Sequence, residues 1–332
     1  MKKMIKDEIW ILGDERPGTV AQSIGLANEI GFESKIIPLS YSFLAKLPNV
    51  FLSSSLLRLK CEAAKNIKNQ EYFPRLIISA GRRAAPIALH IKKKSGNKSK
   101  VIQIMNPNLN FKKFDLVVLP KHDGLDEKDF PNLVTTLGSL SKVNDKIISS
   151  EQEKFAPWFR EIKKNKIALL VGGASKRTEF EEKSAAKLAK HASEVAQNMD
   201  ATLLILNSRR TGAELNAAIK ENLNCDHRFF DWLDTKNNNP YLAILGEADY
   251  FIITGDSVSM ISECCSSGKP TYIFDEKNIS APKHRKFHHE LIKENFAKKF
   301  SGEIFQLEKF TSKRLQETKR IALIIREQIL ID

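Results

Sequence analysis

The chain has 332 residues, 42% of them hydrophobic, and a formal net charge of +13. It can bury one large or two medium cores, and usual domain sizes favour two. The charge suits an anionic partner such as a nucleotide diphosphate, an acidic membrane surface or nucleic acid, but no C2H2, RRM or KH signature is present, so nucleic acid is not the expected partner.

Cysteine spacing and hydropathy exclude further classes. The four cysteines show no C-x-x-C spacing, so neither a zinc site nor a disulfide framework is indicated. No apolar run reaches the roughly 18 residues of a membrane span, and the first apolar run is too short for a signal peptide. We therefore expect a cytoplasmic protein, at most peripheral at the inner face of a membrane.

Short aliphatic runs alternate with longer helical patterns, which is typical of βαβ units and parallel sheets. In the first half, strands are predicted at residues 8–12, 34–37, 76–79, 101–105 and 116–119, and helices at 20–30, 56–67 and 84–93. In the second half, strands are predicted at 167–171, 202–206, 250–254 and 271–274, and helices at 181–198, 213–222, 241–248 and 258–267.

These elements indicate an α/β fold with two similar doubly wound parallel-sheet domains. The polar segment 149–165, broken by Pro157, is the predicted linker. We place the first domain at residues 1–155 and the second at 156–310. Residues 311–332 contain an amphipathic helix with no strand after it, which we expect to cross back and pack on the first domain.

The most informative segment runs from Thr254 to Pro270 behind a predicted strand. The start of the following helix, Gly255 with Asp256, Ser257 and Ser259, offers free N–H groups and hydroxyls that suit a diphosphate. About one turn further, the carboxylate of Glu263 could accept hydrogen bonds from two ribose hydroxyls. The alternative is an ordinary strand-to-helix turn, with Asp256 or Ser257 as N-cap and Gly268 as C-cap.

Two other loops of the second half follow strands, where open α/β sheets bind ligands. The first, Gly172-Gly173-Ala-Ser175-Lys176-Arg177, combines close backbone approach with cationic side chains and matches neither the Walker A nor the dinucleotide fingerprint. The second carries Ser208, Arg209 and Arg210. Both loops are candidate anion sites, although surface arginines are common.

The first half has its own candidate loops. Gly13-Asp14-Glu15-Arg16-Pro17 carries more charge than a tight turn needs, and Arg82 and Arg83 follow a later strand. His122 beside Asp123 could act as a general base, although an exposed turn histidine is the simpler interpretation. We assign no ligand role to His284, His288 and His289, whose spacing matches no metal site.

The segment 41–59 is rich in apolar residues and ends with Arg58 near Lys60. We favour a buried helix there. The alternative is a face that contacts an anionic membrane and admits a lipid acceptor.

Taken with Gln103-Ile-Met-Asn-Pro107, residues 114–123 and Asn239-Pro-Tyr241, these motifs resemble the elongated-mitochondria (mitochondrial fission Elm-type) family over nearly the whole chain. That family looks like the GT-B glycosyltransferase fold, with two facing Rossmann-like domains and the donor on the second. The 254–270 motif is also similar to the donor motif of the enzyme that adds N-acetylglucosamine to lipid-linked peptidoglycan precursors. The resemblance implies ribose contact for Glu263 and diphosphate contact for Ser257 and Ser259.

The resemblance also implies a reaction. Retaining GT-B enzymes commonly carry a second glutamate eight positions before the ribose glutamate, where this chain has Gly255. An inverting, metal-independent transfer to a lipid or saccharide acceptor is therefore implied, with His122 as the base and Asp123 or Asp14 as competitors. No cofactor is expected besides the nucleotide-sugar substrate.

Two alternatives stay open. Nucleotide-sugar 2-epimerases share the GT-B architecture but usually carry Gln-Glu-Glu where this chain has Ile261-Ser262-Glu263. A non-catalytic membrane-associated factor is the other alternative, and nucleotide-sugar binding would distinguish it from both enzymes.

Overall fold

Aliphatic runs form the central strands of two parallel sheets in the computed structural model, which describes residues 3–49, 54–174, 178–276, 278–310 and 313–330. Strands of this kind are covered by helices on both faces, so they are apolar without alternation. Residues 9–12 and 167–170, for example, are fully or almost fully buried. The two-domain α/β class that the sequence predicts is present.

The first unit comprises Met1–Lys142 with Gln316–Asp332. Its elements before the second unit are β1 (Ile5–Gly13), α1 (Pro17–Ile30), β2 (Ser34–Pro38), α2 (Cys61–Lys68), β3 (Phe73–Ala80), α3 (Gly81–Lys94), β4 (Lys100–Ile104), β5 (Leu116–Pro120) and β6 (Leu133–Thr136). The strands pair in the order β2-β1-β3-β4-β5-β6. The order therefore reverses between β1 and β3.

The second unit comprises Val143–Leu315. Its elements are α4 (Asp145–Phe159), β7 (Asn165–Leu170), α5 (Glu182–Asn198), β8 (Ala201–Leu206), α6 (Gly212–Glu221), β9 (His227–Phe230), α7 (Trp232–Thr235), α8 (Tyr241–Glu247), β10 (Tyr250–Thr254), α9 (Val258–Ser267), β11 (Thr271–Phe274), α10 (Pro282–Lys293) and β12 (Lys298–Lys299). The strand order is β12-β11-β10-β7-β8-β9, so it reverses between β7 and β10.

The last helix, α11 (Glu317–Gln328), belongs to the first unit. Its buried side chains Ile321 and Ile325 join a core cluster that includes Leu26 and Ile30 of α1. Arg326 Nε donates a hydrogen bond to the Ile30 carbonyl at 3.1 Å. The amphipathic pattern of the chain end is thus used to cover one face of the first sheet.

The predicted linker at 149–165 differs from the structure. Most of it lies in α4, which buries Phe155 and Phe159 one turn apart and accommodates Pro157 in its last turn. Asn144 caps this helix by accepting a hydrogen bond from the Ile147 N–H at 3.0 Å. The chain passes between units at Lys142, ahead of the predicted boundary at 155, because α4 is an integral helix of the second unit.

The helix predicted at 56–67 starts only at Cys61. Before it, the chain forms a turn in which the Leu59 N–H donates to the Leu56 carbonyl at 2.9 Å, and Leu59 pairs with Tyr41 in an isolated antiparallel bridge. Leu56 and Leu59 are nevertheless buried in the core, so their apolar character reflects burial without helix formation. Residues 50–53 of the proposed membrane-contacting segment lie outside the described residues.

Candidate functional site

The loops after β7 and β10 lie side by side at the reversal point of the second sheet. Open α/β sheets bind ligands beyond the carboxyl ends of their strands at such a point. One loop carries Gly172 and Gly173, and the other carries Gly255 and Asp256. The structure thus brings together two segments that the sequence assigned to the donor diphosphate.

Asp256 connects these loops to a third loop. Its Oδ2 accepts hydrogen bonds from the Gly173 N–H at 3.2 Å and from Arg210 Nη2 at 2.7 Å. Its Oδ1 accepts one from Thr254 Oγ1 at 2.7 Å. The side chain is only 2% exposed. This buried carboxylate therefore holds the three loops together, and we call it the brace of the donor loops. Asp256 and the Gly173 N–H, both predicted to contact the diphosphate, are instead engaged with each other.

Both glycines are required by close packing of the loops. A Cβ on Gly172 would lie 2.0 Å from Asp256 Oδ1, and a Cβ on Gly173 would lie 2.1 Å from the Arg210 carbonyl oxygen. Thr211 Oγ1 also donates to the Gly172 carbonyl at 2.6 Å. The glycines therefore allow the loops after β7, β8 and β10 to interlock.

The turn after β8 presents its two arginines differently. Its backbone is held by the Ser208 N–H, which donates to Thr211 Oγ1 at 2.9 Å. Arg210 is 38% exposed and oriented by Asp256, whereas Arg209 is exposed on the surface of the turn. Arg209 is accordingly the better placed of the two to meet a ligand anion.

Helix α9 has the ordinary N-cap and C-cap that the simpler, strand-to-helix-turn alternative predicts. Ser257 is its N-cap and accepts a hydrogen bond from the Met260 N–H at 3.4 Å, and Gly268 ends it with a φ of 78°. Ser259 is half-buried in the first turn. Capping does not remove the anion-binding character of a helix start, because the remaining N–H groups of the first turn still point outward.

Glu263 lies further along α9 and has a partner that the sequence did not suggest. The Tyr241 hydroxyl, at the start of α8, donates to Glu263 Oε2 at 2.5 Å. Burial, and then the charge of Glu263, raise the pKa of Tyr241 well above its ordinary value, so the hydroxyl stays a donor at neutral pH. A carboxylate has about four acceptor positions, so this contact orients Glu263 and leaves it able to accept from a diol. The Asn239-Pro-Tyr241 motif was the available signal.

Ser175, Lys176 and Arg177 lie outside the described residues. Their predicted contact with the diphosphate stays a prediction.

A second cluster, around Asp275 at the end of β11, was missed by sequence reasoning. Asp275 Oδ2 lies 3.2 Å from His288 Nδ1, and the Coulombic influence of Asp256 reaches His284 on the same helix, α10. A Cβ on Gly255 would lie 2.7 Å from the His288 ring, so this cluster packs directly under the 254–257 loop. The signal was an aspartate at a strand end followed by histidines four residues apart on one helix face.

Burial governs the ionisation of this cluster. It lowers the pKa of His284, and the neighbouring His288 lowers it further. Burial alone would raise the pKa of Asp275, but hydrogen bonds from His288 and Ser280, together with the charges of His288 and Arg285, outweigh it and the pKa is lowered. The arrangement therefore pairs an ionised carboxylate with an imidazole beside a neutral His284.

The candidate bases of the first unit lie in two places: Asp14 follows β1, and His122 and Asp123 follow β5. Asp14 follows β1, is almost fully buried, and accepts hydrogen bonds from Arg83 Nη2 at 3.3 Å and from the Arg16 N–H at 2.8 Å. His122 and Asp123 are half-buried in a short turn after β5. β1 and β5 are three strand spacings apart, roughly 14 Å, so Asp14 and His122 follow well-separated strands and are alternative bases.

Within the described ranges, no group of three or more His, Cys, Asp or Glu side chains is arranged to hold a metal ion. The helices of the described part of the chain include none that is both long and apolar enough to cross a membrane.

The chain matches the family described as Mitochondrial fission ELM1 over residues 17–329. A Rickettsia prowazekii protein named Uncharacterized protein RP120 is 35% identical, and the alignment covers 98% of this chain and 99% of that protein. Mitochondrial fission protein ELM1 of Arabidopsis thaliana is 25% identical over 83% of this chain and 69% of its own length.

A solved structure described as a putative UDP-N-acetylglucosamine 2-epimerase from Listeria monocytogenes superposes with a TM-score of 0.54 at 11% identity, covering 97% of this chain and 88% of that one. This likeness shows the fold, and it confirms the predicted GT-B-like α/β architecture. The family match spans nearly the whole chain, and the predicted resemblance is confirmed with it: the protein belongs to the mitochondrial fission ELM1 family.

Proposed function

We propose that the protein is a GT-B-type glycosyltransferase that transfers a sugar from a nucleotide-sugar to a cell-envelope acceptor, either a lipid or a polysaccharide. The observation that carries the proposal is the interlocked set of loops at the reversal point of the second sheet. They present a helix start and an arginine turn in which Asp256 fixes Arg210, and further along α9 lies a carboxylate oriented by Tyr241.

The donor would use these groups in order along α9. The first turn, with Ser257 and Ser259, and the exposed Arg209 would bind the diphosphate, because N–H groups and guanidinium charge stabilise phosphate oxygens. Glu263, held by Tyr241, would accept hydrogen bonds from the ribose. Ser175 and Lys176 would add to the diphosphate contacts.

The chemistry in this proposal is an inverting displacement without a metal. The acceptor hydroxyl attacks the anomeric carbon, the bond to the diphosphate breaks, and a base takes the hydroxyl proton. The leaving diphosphate is stabilised by Arg209 and the α9 N-terminus. His122 is the favoured base, with Asp123 as its competitor. Asp14 is the weaker candidate because Arg83 and the Arg16 N–H already occupy its oxygens.

A 2-epimerase is the second candidate, favoured by the likeness to the Listeria protein. The two activities differ in what happens at C2 of the sugar. With UDP-N-acetylglucosamine in D2O, an epimerase exchanges the C2 hydrogen without any acceptor, and proton NMR would show loss of that signal. A transferase leaves the C2 hydrogen in place.

Calorimetric titration with UDP, GDP and CMP sugars tests donor binding directly. We expect one of them to bind, and Glu263→Ala to weaken it by about 1 to 3 kcal/mol through lost ribose hydrogen bonds. Tyr241→Phe should cost about 1 kcal/mol, since it removes only the orienting contact. Glu221→Ala, at the exposed end of α6, is the control and should bind like wild type.

Unchanged affinity in Glu263→Ala would remove the ribose assignment. Binding of none of the nucleotide sugars would remove both enzyme proposals and leave the non-catalytic membrane-associated factor.

A further inference from the structure

The first sheet also has a reversal point, between β1 and β3, and α3 begins there. The start of α3 is not capped by a side chain, since its N-cap is Ala80. Its first residue, Gly81, has a φ of 74° and open space where a Cβ would be. Arg82 and Arg83 follow, both half-buried. A ligand can therefore approach the backbone of this first turn closely.

A buried cation lies behind the turn. Arg58 is 0% exposed, and its Nη1 lies 3.5 Å from the Arg83 carbonyl oxygen in the first turn of α3. Its Nε and Nη2 have no hydrogen-bond acceptor among the described residues. Buried guanidinium groups are normally paired with a carboxylate, because an isolated buried charge is costly. Arg58 instead donates to a backbone carbonyl, so its positive charge lies next to a helix start that already carries a partial positive charge.

The surrounding side chains that the structure describes do not neutralise this charge. Arg83 lies over the ring of Tyr41, 4.4 Å from the ring centroid, and pairs with Asp14. The Tyr41 hydroxyl is buried and has no partner within the described part of the chain. Glu15 reaches only to 3.8 Å from Arg83 and is mostly exposed. Among the described residues, the guanidinium groups of Arg58, Arg82 and Arg83 are therefore accompanied by one buried carboxylate, that of Asp14, and one solvated carboxylate, that of Glu15.

We propose that the first turn of α3, with Arg82 at its surface and Arg58 behind it, is a second anion site that binds a phosphate group. The phosphate oxygens would accept hydrogen bonds from the first-turn N–H groups and from Arg82, while Arg58 acts as a positioning charge without direct contact. The chemical class is a phosphate monoester or diphosphate carried by a second ligand.

Assigning that phosphate to the acceptor rests on the proposed transferase function, whereas the anion site does not. The same chemistry could come from a phosphorylated lipid or from a soluble phosphorylated sugar. Both sources are separable by experiment.

The test uses the full chain and two probes at low, fixed ionic strength. Glycerol 3-phosphate is titrated by calorimetry, and phosphatidylcholine vesicles with and without phosphatidic acid are assayed by flotation. Arg58→Met removes the buried charge at similar volume, and Arg82→Gln removes the surface one. Lys100→Gln, at the start of β4, is the charge-matched control. UDP binding is measured on every variant, and circular dichroism verifies folding.

Wild type is expected to bind at least one probe, with each arginine variant about tenfold weaker and Lys100→Gln within about twofold. Binding to the vesicles that contain phosphatidic acid, without binding to glycerol 3-phosphate, identifies a lipid phosphate. Binding of glycerol 3-phosphate identifies a soluble one. If Arg58→Met does not fold, Arg82→Gln decides the outcome by itself. Equal binding by wild type and Arg82→Gln, or no binding to either probe, overturns the site. UDP binding tests the donor proposal separately: if wild type does not bind UDP, the donor proposal fails, and the outcome for the second anion site is unaffected.

Discussion

Replacing Asp256 with alanine tests whether this carboxylate is the brace of the donor loops. The change leaves the Gly173 N–H without its acceptor, which costs about 2 kcal/mol when the group stays buried. The Thr254 hydroxyl loses its acceptor too, at about 1 kcal/mol, since a hydroxyl can turn toward another partner. Arg210 is partly exposed and solvent screens its charge, so its loss adds little. We expect the second unit to lose about 3 kcal/mol of stability.

The chain offers a matched control in the same unit. Asp145 accepts two hydrogen bonds from Arg314 Nη1, at 2.8 and 2.9 Å, but its side chain is 76% exposed. Exposed pairs contribute about 1 kcal/mol or less, so Asp145→Ala should be nearly neutral. Both substitutions remove an aspartate that pairs with an arginine, but Asp256 is buried and also accepts hydrogen bonds from Gly173 and Thr254.

Hydrogen-exchange mass spectrometry in increasing urea gives the free energy of unfolding of each unit separately. Peptides covering β10 and α9 report on the second unit, and peptides covering β1 report on the first. A loss in Asp256→Ala no larger than that in Asp145→Ala would refute the brace. So would a loss confined to the first unit.

Two further predictions concern the same loops. Gly173→Ala should destabilise the second unit by more than about 2 kcal/mol and weaken nucleotide binding, because its Cβ would lie 2.1 Å from a backbone oxygen. The control, Gly302→Ala, has open space around its Cβ and should change stability by less than about 0.5 kcal/mol. Equal effects in the two variants would contradict the packing argument. The lowered pKa of His284 means that the unfolded chain takes up a proton before the folded one, so stability should fall as pH drops below about 6.5 toward the folded pKa. Melting temperatures at pH 7.5 and 5.5 should differ less in His284→Gln than in wild type, and an identical difference would exclude His284 as a source.

The central strands could be predicted from the sequence because burial on both faces leaves a simple signal. β10 occupies the predicted residues 250–254, all of them buried. The edge strand β9, with sequence His-Arg-Phe-Phe, was missed since its first two residues are exposed and carry no apolar run. Helix α4 was taken for a linker for a related reason: it fully buries only Phe155 and Phe159, and its middle, Ser149–Lys154, is polar.

The candidate site was predicted in part. Strand-end position and composition identified the Gly172-Gly173 loop, the arginine turn and the 254–270 segment. What the sequence did not supply was strand order, which decides which loops touch. The bond between Arg210 and Asp256 joins residues on different loops, and the pair of Tyr241 with Glu263 joins two helices. From the sequence alone, Asp256 was therefore predicted to contact the ligand, whereas its carboxylate oxygens accept hydrogen bonds from other residues of the protein.

Strand order also accounts for a feature shared by the two proposed anion sites. At each reversal point one arginine is fixed by a buried carboxylate, Arg210 by Asp256 and Arg83 by Asp14. Each of these pairs has little charge left to attract an anion, so the paired arginine serves mainly to shape its loop. Attraction must then come from the neighbouring cations, Arg209 in the second unit and Arg82, with Arg58 behind it, in the first. Substituting Arg209 or Arg82 should therefore weaken anion binding with little loss of stability. Substituting Arg210 or Arg83 should do the reverse, because it leaves a buried carboxylate without its counter-charge.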